Sequence, residues 1–281
     1  MAPDQHSFDG DTFGLLEVAD LWYRFPIGKR TELNITAVGG SLRDNVPVVN
    51  PLFYGSSRGS ISVFGSEDPI IRSRSGAGIG LSTDLTRALN LSVAAISGGA
   101  GDQEYGLLGS RNAAIAQLTY SPTKTFIGAL AFIYSKNDGF LRDQFSDSET
   151  VIGTTLAAEV FYQIGDAFAV GLRGGLINTS ARDLAGDPRK LIGSYALTIG
   201  FPDLFGKGNL LGFVLGRPPA VIDDPVDTIP DPSSGHLELF YRYTVSDALS
   251  ITPGVMVVRS PDQFGGTEDY WIGALRMTFR F

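Results

Sequence analysis

"HLELFYRYTVSDALSITPGVMVV", residues 236–258, contains two alternating runs of residues separated by the dipeptide "DA". One face of the first run is apolar and consists of Leu237, Leu239, Tyr241, Tyr243 and Val245. The opposite face is mixed and consists of His236, Glu238, Phe240, Arg242 and Thr244. A period of two is typical of a β-strand whose two faces meet different surroundings. Two such runs joined by so short a connector predict an antiparallel β-hairpin.

Similar runs recur along the whole chain, whereas long stretches with apolar residues at helical spacing are lacking. The pattern predicts about thirteen strands. Their ranges are 13–26, 30–40, 75–86, 88–98, 112–121, 124–136, 151–164, 167–179, 190–202, 208–216, 236–246, 248–259 and 268–281. A tilted strand of about 9–11 residues is long enough to cross a bilayer. The sequence therefore predicts an all-β protein whose strands are long enough to span a membrane.

The connectors between these runs alternate between short and long. The short ones are "IGKR", "TRA", "PTK", "GDA", the somewhat longer "DLFGKG", and "DA". The long ones are 41–74, 99–111, 137–150, 180–189, 217–235 and 260–267. Outer-membrane barrels have short periplasmic turns and long external loops, and a soluble sandwich is not expected to keep this order. The connectors thus predict a transmembrane antiparallel β-barrel of the outer-membrane porin type.

The composition excludes several other classes. The chain has 281 residues, 35 of them glycine, and 43% are hydrophobic, which argues against a disordered protein. A formal net charge of −8 argues against a nucleic-acid-binding protein. With no cysteine and two histidines, we expect no cofactor and no metal site. "GAGIG" (76–80) resembles a glycine-rich phosphate-binding loop only loosely, because it lies in a strand without a following helix. We interpret its small residues instead as allowing a side chain or the long loop to approach the wall closely.

The last run, "WIGALRMTFRF" (271–281), gives the direction of the strands. Its odd-numbered residues are apolar or Gly273, whereas Arg276 and Arg280 lie on the other face. Bacterial barrels have an even number of strands, and both termini lie in the periplasm. An odd count therefore means that the first strand present runs inward, and that residues 1–12 are the remnant of an external loop or a disordered start. We expect 13–281 to be an N-terminally incomplete barrel domain; the alternative is that one run was split or missed.

Six stretches of the chain resemble OprB-type carbohydrate-selective porins, and above all the cyanobacterial branch called iron uptake porins. They are 21–30, "NPLFYGSSRGSISVFGSEDPIIRSRSGAGIGLS" (50–82), 114–126, "FPDLFGKGNLLGFVLGRPPAV" (201–221), 236–258 and 274–281. The resemblance implies a barrel of about sixteen strands, embedded in outer-membrane lipid and usually a homotrimer. It also implies a Gram-negative, cyanobacterial outer membrane, and an upstream S-layer homology region and coiled coil that bind peptidoglycan. Phe281 would be the aromatic residue that the assembly machinery recognises.

A porin acts through a water-filled lumen whose constriction carries charged or hydrogen-bonding groups. The longest connector, 41–74, is moderately apolar, so we expect it to fold against another surface. If it folds into the pore, its constriction residues would be Arg58, Arg72 and Arg74 opposite Glu67 and Asp68. The alternative is a loop packed at the barrel mouth with its charges in solvent.

Charged residues on the mixed faces of the strands are candidates for the lumen lining. They are Asp20, Arg24, Glu159, Arg173, Glu238, Arg242, Arg276 and Arg280. An arginine facing lipid at the midplane would cost on the order of 2–4 kcal/mol, which favours the inner face. These charges could bind solutes, or they could form Arg–Glu ladders that only stiffen the wall. Aromatic residues near strand ends, such as Tyr120 and Tyr162, would form an interfacial girdle.

The sequence leaves three functions open. The first is a porin for passive diffusion of small hydrophilic solutes, with sugars or inorganic ions including iron as cargo. The second is a structural anchor, tethered to peptidoglycan through an absent upstream domain. The third is an outer-membrane hydrolase built on His236, which would need a nucleophile and an orienting group in reach. We expect the protein not to be an enzyme.

Overall fold

A computed structural model describes residues 18–69, 76–99, 106, 111–145, 147–225, 234–259 and 269–280. These ranges contain a single antiparallel sheet of 13 strands, each paired with the next one in the chain. The strands are β1 (Leu21–Ile27), β2 (Thr31–Gly40), β3 (Gly76–Asp84), β4 (Leu89–Ser97), β5 (Asn112–Thr123), β6 (Phe126–Lys136), β7 (Val151–Ile164), β8 (Phe168–Ala181), β9 (Arg189–Pro202), β10 (Leu210–Asp223), β11 (Gly235–Ser246), β12 (Leu249–Arg259) and β13 (Asp269–Phe279). Each of the thirteen predicted runs overlaps one of them, so the predicted all-β class is confirmed.

Two boundaries differ from the prediction by more than two residues. Strand β1 begins at Leu21; residues 13–17 lie outside the described ranges, and 18–20 are not in a strand. Strand β10 continues to Asp223, so the loop predicted from residue 217 was wrong over 217–223. Pro218 and Pro219, which have no N–H to donate to a ladder, lie within this added part of the strand. The pairing of β10 with β9 shifts register between Arg217 and Ala220, and this irregularity accommodates both prolines.

Short and long connectors alternate along the chain except at one place, where the turn 203–209 and the next connector before it, 182–188, each have seven residues. The short turns are 28–30, 85–88, 124–125, 165–167, 203–209 and 247–248, all at one end of the sheet. Glycine supplies the left-handed backbone in three of them, at Gly28, Gly165 and Gly208. We call this the short-turn end. The long connectors all lie at the opposite end.

The two faces of the sheet differ as the alternation predicted. On the outer face large apolar side chains are exposed: Leu172 is 59% exposed and Trp271 is 74% exposed. On the inner face small and polar side chains are buried: Ala196 is 0% exposed, and Ser194 and Thr198 are buried with it. An exposed apolar face over a whole sheet is unfavourable in water and favourable in lipid. The outer face therefore has the character of a lipid-facing wall.

Aromatic side chains form rows at the short-turn end of this outer face. The ring of Phe126 lies 6.3 Å from both Tyr120 and Tyr162. The ring of Phe201 lies 5.4 Å from Phe168 and 6.4 Å from Phe213. Tyr and Phe at this level of a barrel are typical of an interfacial aromatic girdle.

The sheet curves around a segment of its own chain, residues 41–69, which we call the inward segment. It contains a 3-10 turn, η1 (Leu42–Asn45), and one helical turn, α1 (Val63–Ser66); a third short helix, α2 (Gly139–Arg142), follows β6. Arg24 on β1 donates to the Asp44 carbonyl, and Arg276 on β13 donates to the Ser60 carbonyl. Because one segment contacts both end strands, the sheet must curl into a barrel wall around it.

The core of the molecule lies inside this wall. Leu42 and Val46 of the inward segment join Leu141 and Phe145, and together they pack against inner side chains of β4 to β10. Farther along the segment, Phe53 and Phe64 pack against Leu210 and other inner residues of β9 to β11. None of the helices in the described ranges is long and apolar enough to cross a membrane.

Candidate pore constriction

The first half of the inward segment is held by a capped turn, by burial of a leucine and by a hydrogen bond to the wall. Ser41 begins η1 with a capping box in which its N–H and hydroxyl each donate to Asp44 Oδ2 at 2.8 Å. Leu42 is fully buried in the core. Asn45 Oδ1 accepts a hydrogen bond of 2.8 Å from Asn34 Nδ2 on β2. The turn therefore fixes the point at which the chain leaves the wall and enters the interior.

Glycines of the inner wall make room for the inward segment. A Cβ atom added at Gly80 would clash with the Asn45 side chain, and one at Gly254 would clash with Ile61. A Cβ atom at Gly171 would lie 2.6 Å from Asn50 Nδ2. We call these positions glycine sockets. "GAGIG" thus contributes close approach of the segment to the wall, as we interpreted it from the sequence.

Glu238 on β11 binds the far end of the segment. Its Oε1 accepts from Ser60 Oγ at 2.6 Å and from Ile61 N at 2.7 Å. Its Oε2 accepts from Ser62 N at 3.3 Å and from the Ser62 hydroxyl. The carboxylate is 1% exposed, so it is satisfied by the segment and not by solvent. Glu238 lies on the inner face of β11, and its carboxylate holds the inward segment.

Wall arginines bind the backbone of the same region, 56–60, which we call the tip. Arg276 donates to the carbonyls of Ser56 at 2.8 Å, Gly59 at 2.7 Å and Ser60 at 2.9 Å. Arg242 donates to the Arg58 carbonyl at 2.5 Å. These guanidinium groups donate hydrogen bonds to tip carbonyls that would otherwise lack partners.

Arg173 on β8 contacts α1. Its guanidinium donates to the Phe64 carbonyl and lies 5.1 Å from the Phe64 ring. It is also the direct cross-strand partner of Glu159 on β7. Among the described residues, this cross-strand pair fits the Arg–Glu ladder alternative, and so does the ion pair of Arg24 on β1 with Glu32 on β2.

A buried charge cluster lies where the inward segment meets β5 and β7. Arg43 pairs with Glu67 at 3.5 Å and lies over the Tyr54 ring at 4.5 Å. The same cluster borders Asp68 and Glu159 around a cavity of about 10 Å³. The sequence placed Glu67 and Asp68 opposite Arg58, Arg72 and Arg74. Within the described ranges Glu67 forms an ion pair with Arg43, a residue of the same connector that the sequence analysis did not single out.

Two larger cavities flank the inward segment. One, of about 500 Å³, is lined by Arg58, Lys207, Arg242, Arg280 and Asp247 at the short-turn end. The other, of about 340 Å³, is lined by Asp20, Trp22, Arg24, Arg43 and Asp44. The predicted residues Asp20, Arg24, Arg58 and Arg280 thus line open space on the inner side. Arg72, Arg74, Phe281 and residues 1–12 lie outside the described ranges, and their predicted roles stay predictions.

The hydrolase alternative built on His236 does not fit the geometry. His236 Nε2 lies 3.2 Å from Ser62 Oγ and 3.4 Å from Glu238 Oε2, so the three residue types of a triad do meet. However, the side chains of His236 and Glu238 are fully buried, and Glu238 is occupied by backbone N–H groups. A substrate has no access to this cluster. Among the residues that the structure describes, no cluster of three or more metal-ligating side chains occurs.

Comparison with known proteins agrees with this architecture. Residues 5–281 match the model of the family described as "Carbohydrate-selective porin, OprB family". The chain is 29% identical to an uncharacterized protein of Synechocystis sp. over 311 residues, covering 98% of this chain and 56% of that protein. It is 28% identical to an uncharacterized protein of Nostoc sp. over 294 residues, covering 95% of this chain and 50% of that protein. It therefore spans about half the length of these relatives.

A solved structure has the same fold. The high-pH structure of Pseudomonas putida OprB matches with a TM-score of 0.59 at 14% sequence identity. The match covers 92% of this chain and 71% of that chain. At this identity the likeness concerns the fold, and it confirms the predicted porin-type β-barrel.

Proposed function

Since this chain belongs to the OprB family of carbohydrate-selective porins, we propose that it forms a water-filled channel for passive diffusion of small hydrophilic solutes. Porins are channels and not enzymes, in agreement with the prediction that the chain has no enzymatic activity. The location that follows is the outer membrane, with the apolar outer face in lipid. A homotrimer in a cyanobacterial cell is part of the proposal and rests on the resemblance and on the sources of the relatives.

The observation that carries the proposal is the course of the inward segment. It leaves the wall at Ser41, contacts both end strands, and has open charged cavities on both sides. A segment that narrows a barrel without filling it restricts the passage of solutes by their size and charge. The wall residues Glu238, Arg242 and Arg276 hold it, and Arg58 and Arg43 supply charge to the space that remains.

Sugars are the cargo that we favour over iron and other ions. The cavity beside β1 places the Trp22 ring next to Asp20, Arg24 and Asn34. Aromatic faces and planar hydrogen-bonding side chains together suit a sugar, which has apolar ring faces and hydroxyl edges. The family description is also one of carbohydrate selectivity. Passage of iron or of other inorganic ions remains the alternative.

The test is reconstitution of the complete protein. In planar bilayers we expect stepwise increases in conductance, and in liposome-swelling assays we expect faster entry of a monosaccharide than of a trisaccharide. Protein-free membranes are the control. Well-folded protein that produces neither conductance steps nor swelling would contradict the proposal.

A further inference from the structure

The cavity of about 500 Å³ at the short-turn end has a charge character that a neutral-sugar channel does not need. We call it the basic vestibule; its charged lining is Arg58, Lys207, Arg242, Arg280 and Asp247. We propose that the basic vestibule binds small oxyanions such as inorganic phosphate and makes this mouth of the channel selective for anions. Its role in selectivity rests on the proposed channel function, whereas oxyanion binding itself does not.

The vestibule carries more positive than negative charge. Four basic side chains and one carboxylate line it, in a chain whose net charge is −8. Within the described ranges, Arg58, Lys207 and Arg280 take part in no ion pair. Cationic groups that converge on one cavity with low-dielectric walls concentrate anions within it.

The positions of the vestibule groups are fixed by hydrogen bonds to the wall. Arg242 donates to the Gly208 carbonyl through Nε at 3.3 Å and Nη2 at 3.2 Å, and to the Arg58 carbonyl. Thr278 Oγ1 donates to the Ser57 carbonyl at 2.9 Å. The carbonyls of the tip and of the turn before β10 are therefore taken up by donors of the wall. This leaves the exposed guanidinium and ammonium groups of Arg58, Arg280 and Lys207 to face an entering solute.

Those three groups suit an oxyanion. Guanidinium groups bind phosphate or carboxylate oxygens in pairs, and an ammonium group adds a compact charge with three donors. A neutral sugar would gain hydrogen bonds here but nothing from the excess charge. Phosphate gains both.

The second cavity is an internal comparison. Two acidic side chains, Asp20 and Asp44, and two basic ones, Arg24 and Arg43, line it. Its charges balance, so no preference for anions is expected there. The two cavities on either side of the inward segment therefore differ in charge, and only the basic vestibule favours anions.

The test compares the complete wild-type protein with the double variant R58Q/K207Q and with K124Q as a matched control. Arg58 and Lys207 are exposed, so their replacement does not disturb the core. Lys124 is exposed in the short turn between β5 and β6, at the same end of the barrel but outside the vestibule. Two measurements are made: channel recordings in a KCl gradient with added inorganic phosphate, and line broadening of phosphate in ³¹P NMR of the protein in detergent.

We expect chloride to permeate better than potassium in wild type and K124Q, and phosphate to reduce the chloride current. In R58Q/K207Q we expect selectivity to be lost and the phosphate concentration for half-block to rise about tenfold. Raising KCl from about 0.1 M to 1 M should weaken the block, because the Debye length falls from about 10 Å to 3 Å.

Unchanged selectivity and block in R58Q/K207Q, or a cation-selective wild type, would overturn the inference while leaving the channel function intact. Folded protein without conductance would instead overturn the channel function. In that case ³¹P broadening that is lost in R58Q/K207Q and kept in K124Q would still support the oxyanion site, and broadening that is equal in all three would refute it.

Discussion

The two halves of the inward segment are held to the wall by different forces. In the first half, Leu42, Val46 and Phe53 are buried against apolar side chains. Two glycine sockets, Gly80 and Gly171, lie against Asn45 and Asn50 of the same half. At the tip, Arg276 binds the Ser60 carbonyl, and directly after the tip Glu238 accepts from the Ile61 N–H. When a packed side chain is changed, the loss of stability increases gradually with the volume that is removed or added. Removing one partner of a buried charge causes a large loss of stability in a single step, because the remaining polar groups are left buried with neither a partner nor water. The tip should therefore be the half that a single substitution can release.

Glu238→Ala gives the largest expected effect. The substitution removes the acceptor of Ser60 Oγ, Ile61 N and Ser62 N in a buried site. We expect a loss of stability on the order of 3–5 kcal/mol and release of the tip. The measurements are the thermal unfolding midpoint in detergent and tryptic cleavage after Arg58. Glu32→Ala is the control, because Glu32 is half exposed in its pair with Arg24. Equal midpoints and equal protection of Arg58 in both variants would refute the idea that charge holds the tip.

The contrast between the halves also explains what the sequence could and could not predict. The strands and the inner position of Glu238 follow from local alternation, since lipid and lumen impose opposite demands on neighbouring residues. The partner of Glu238 does not follow, because Ser62 is 176 positions away and reaches it only through the course of the segment. For the same reason the ion pair of Glu67 with Arg43 was not predicted from the sequence.

The glycine sockets also show which part of the structure can be predicted from the sequence and which part cannot. The sequence analysis singled out Gly80 within "GAGIG" but not Gly171 or Gly254, and all three lie within strands. A glycine on the inner face of a strand marks close approach of another backbone or side chain. The alternation of residues along the strand predicts on which face such a glycine lies. The identity of what approaches depends on tertiary structure.

Gly254→Ala is expected to have an intermediate effect. The new methyl group would clash with Ile61, next to the tip, and the strain should cost about 1–3 kcal/mol. Gly80→Ala, which clashes with Asn45, applies the same test to the first half. Thermal unfolding midpoints measure both. Gly273→Ala is the matched control, since a Cβ atom there meets nothing within 4 Å.

A second substitution tests the cause of the strain. Adding Ile61→Ala to Gly254→Ala should restore part of the lost stability, because the shorter side chain vacates the socket. No recovery in the double variant, or a Gly273→Ala variant as unstable as Gly254→Ala, would count against the sockets.

The smallest expected effect concerns a contact between two long connectors outside the membrane-spanning strands. The Asp183 carboxylate accepts from Ser148 Oγ, from Glu149 N at 2.7 Å and from Thr150 N at 3.1 Å. The hydroxyl of Ser148, with the amide of Glu149 next in importance, lowers the pKa of Asp183 from 3.8 to about 2. Unlike Glu238, this carboxylate is solvent-exposed, so water can replace lost partners and screening weakens the contact.

Because the pKa of Asp183 is lower in the folded state, its contribution to stability is present above pH 3.8 and is lost as the pH falls through about 2. The thermal midpoint of wild type should therefore exceed that of Asp183→Asn slightly at pH 5, and the two should converge towards pH 2. Asp166→Asn, in the short turn between β7 and β8, is the matched control for the loss of one aspartate carboxylate. If Asp183→Asn destabilised the protein as much as Glu238→Ala at pH 5, the contrast between buried and exposed carboxylates would be wrong. If the difference grew towards pH 2, the assigned direction of the pKa would be wrong.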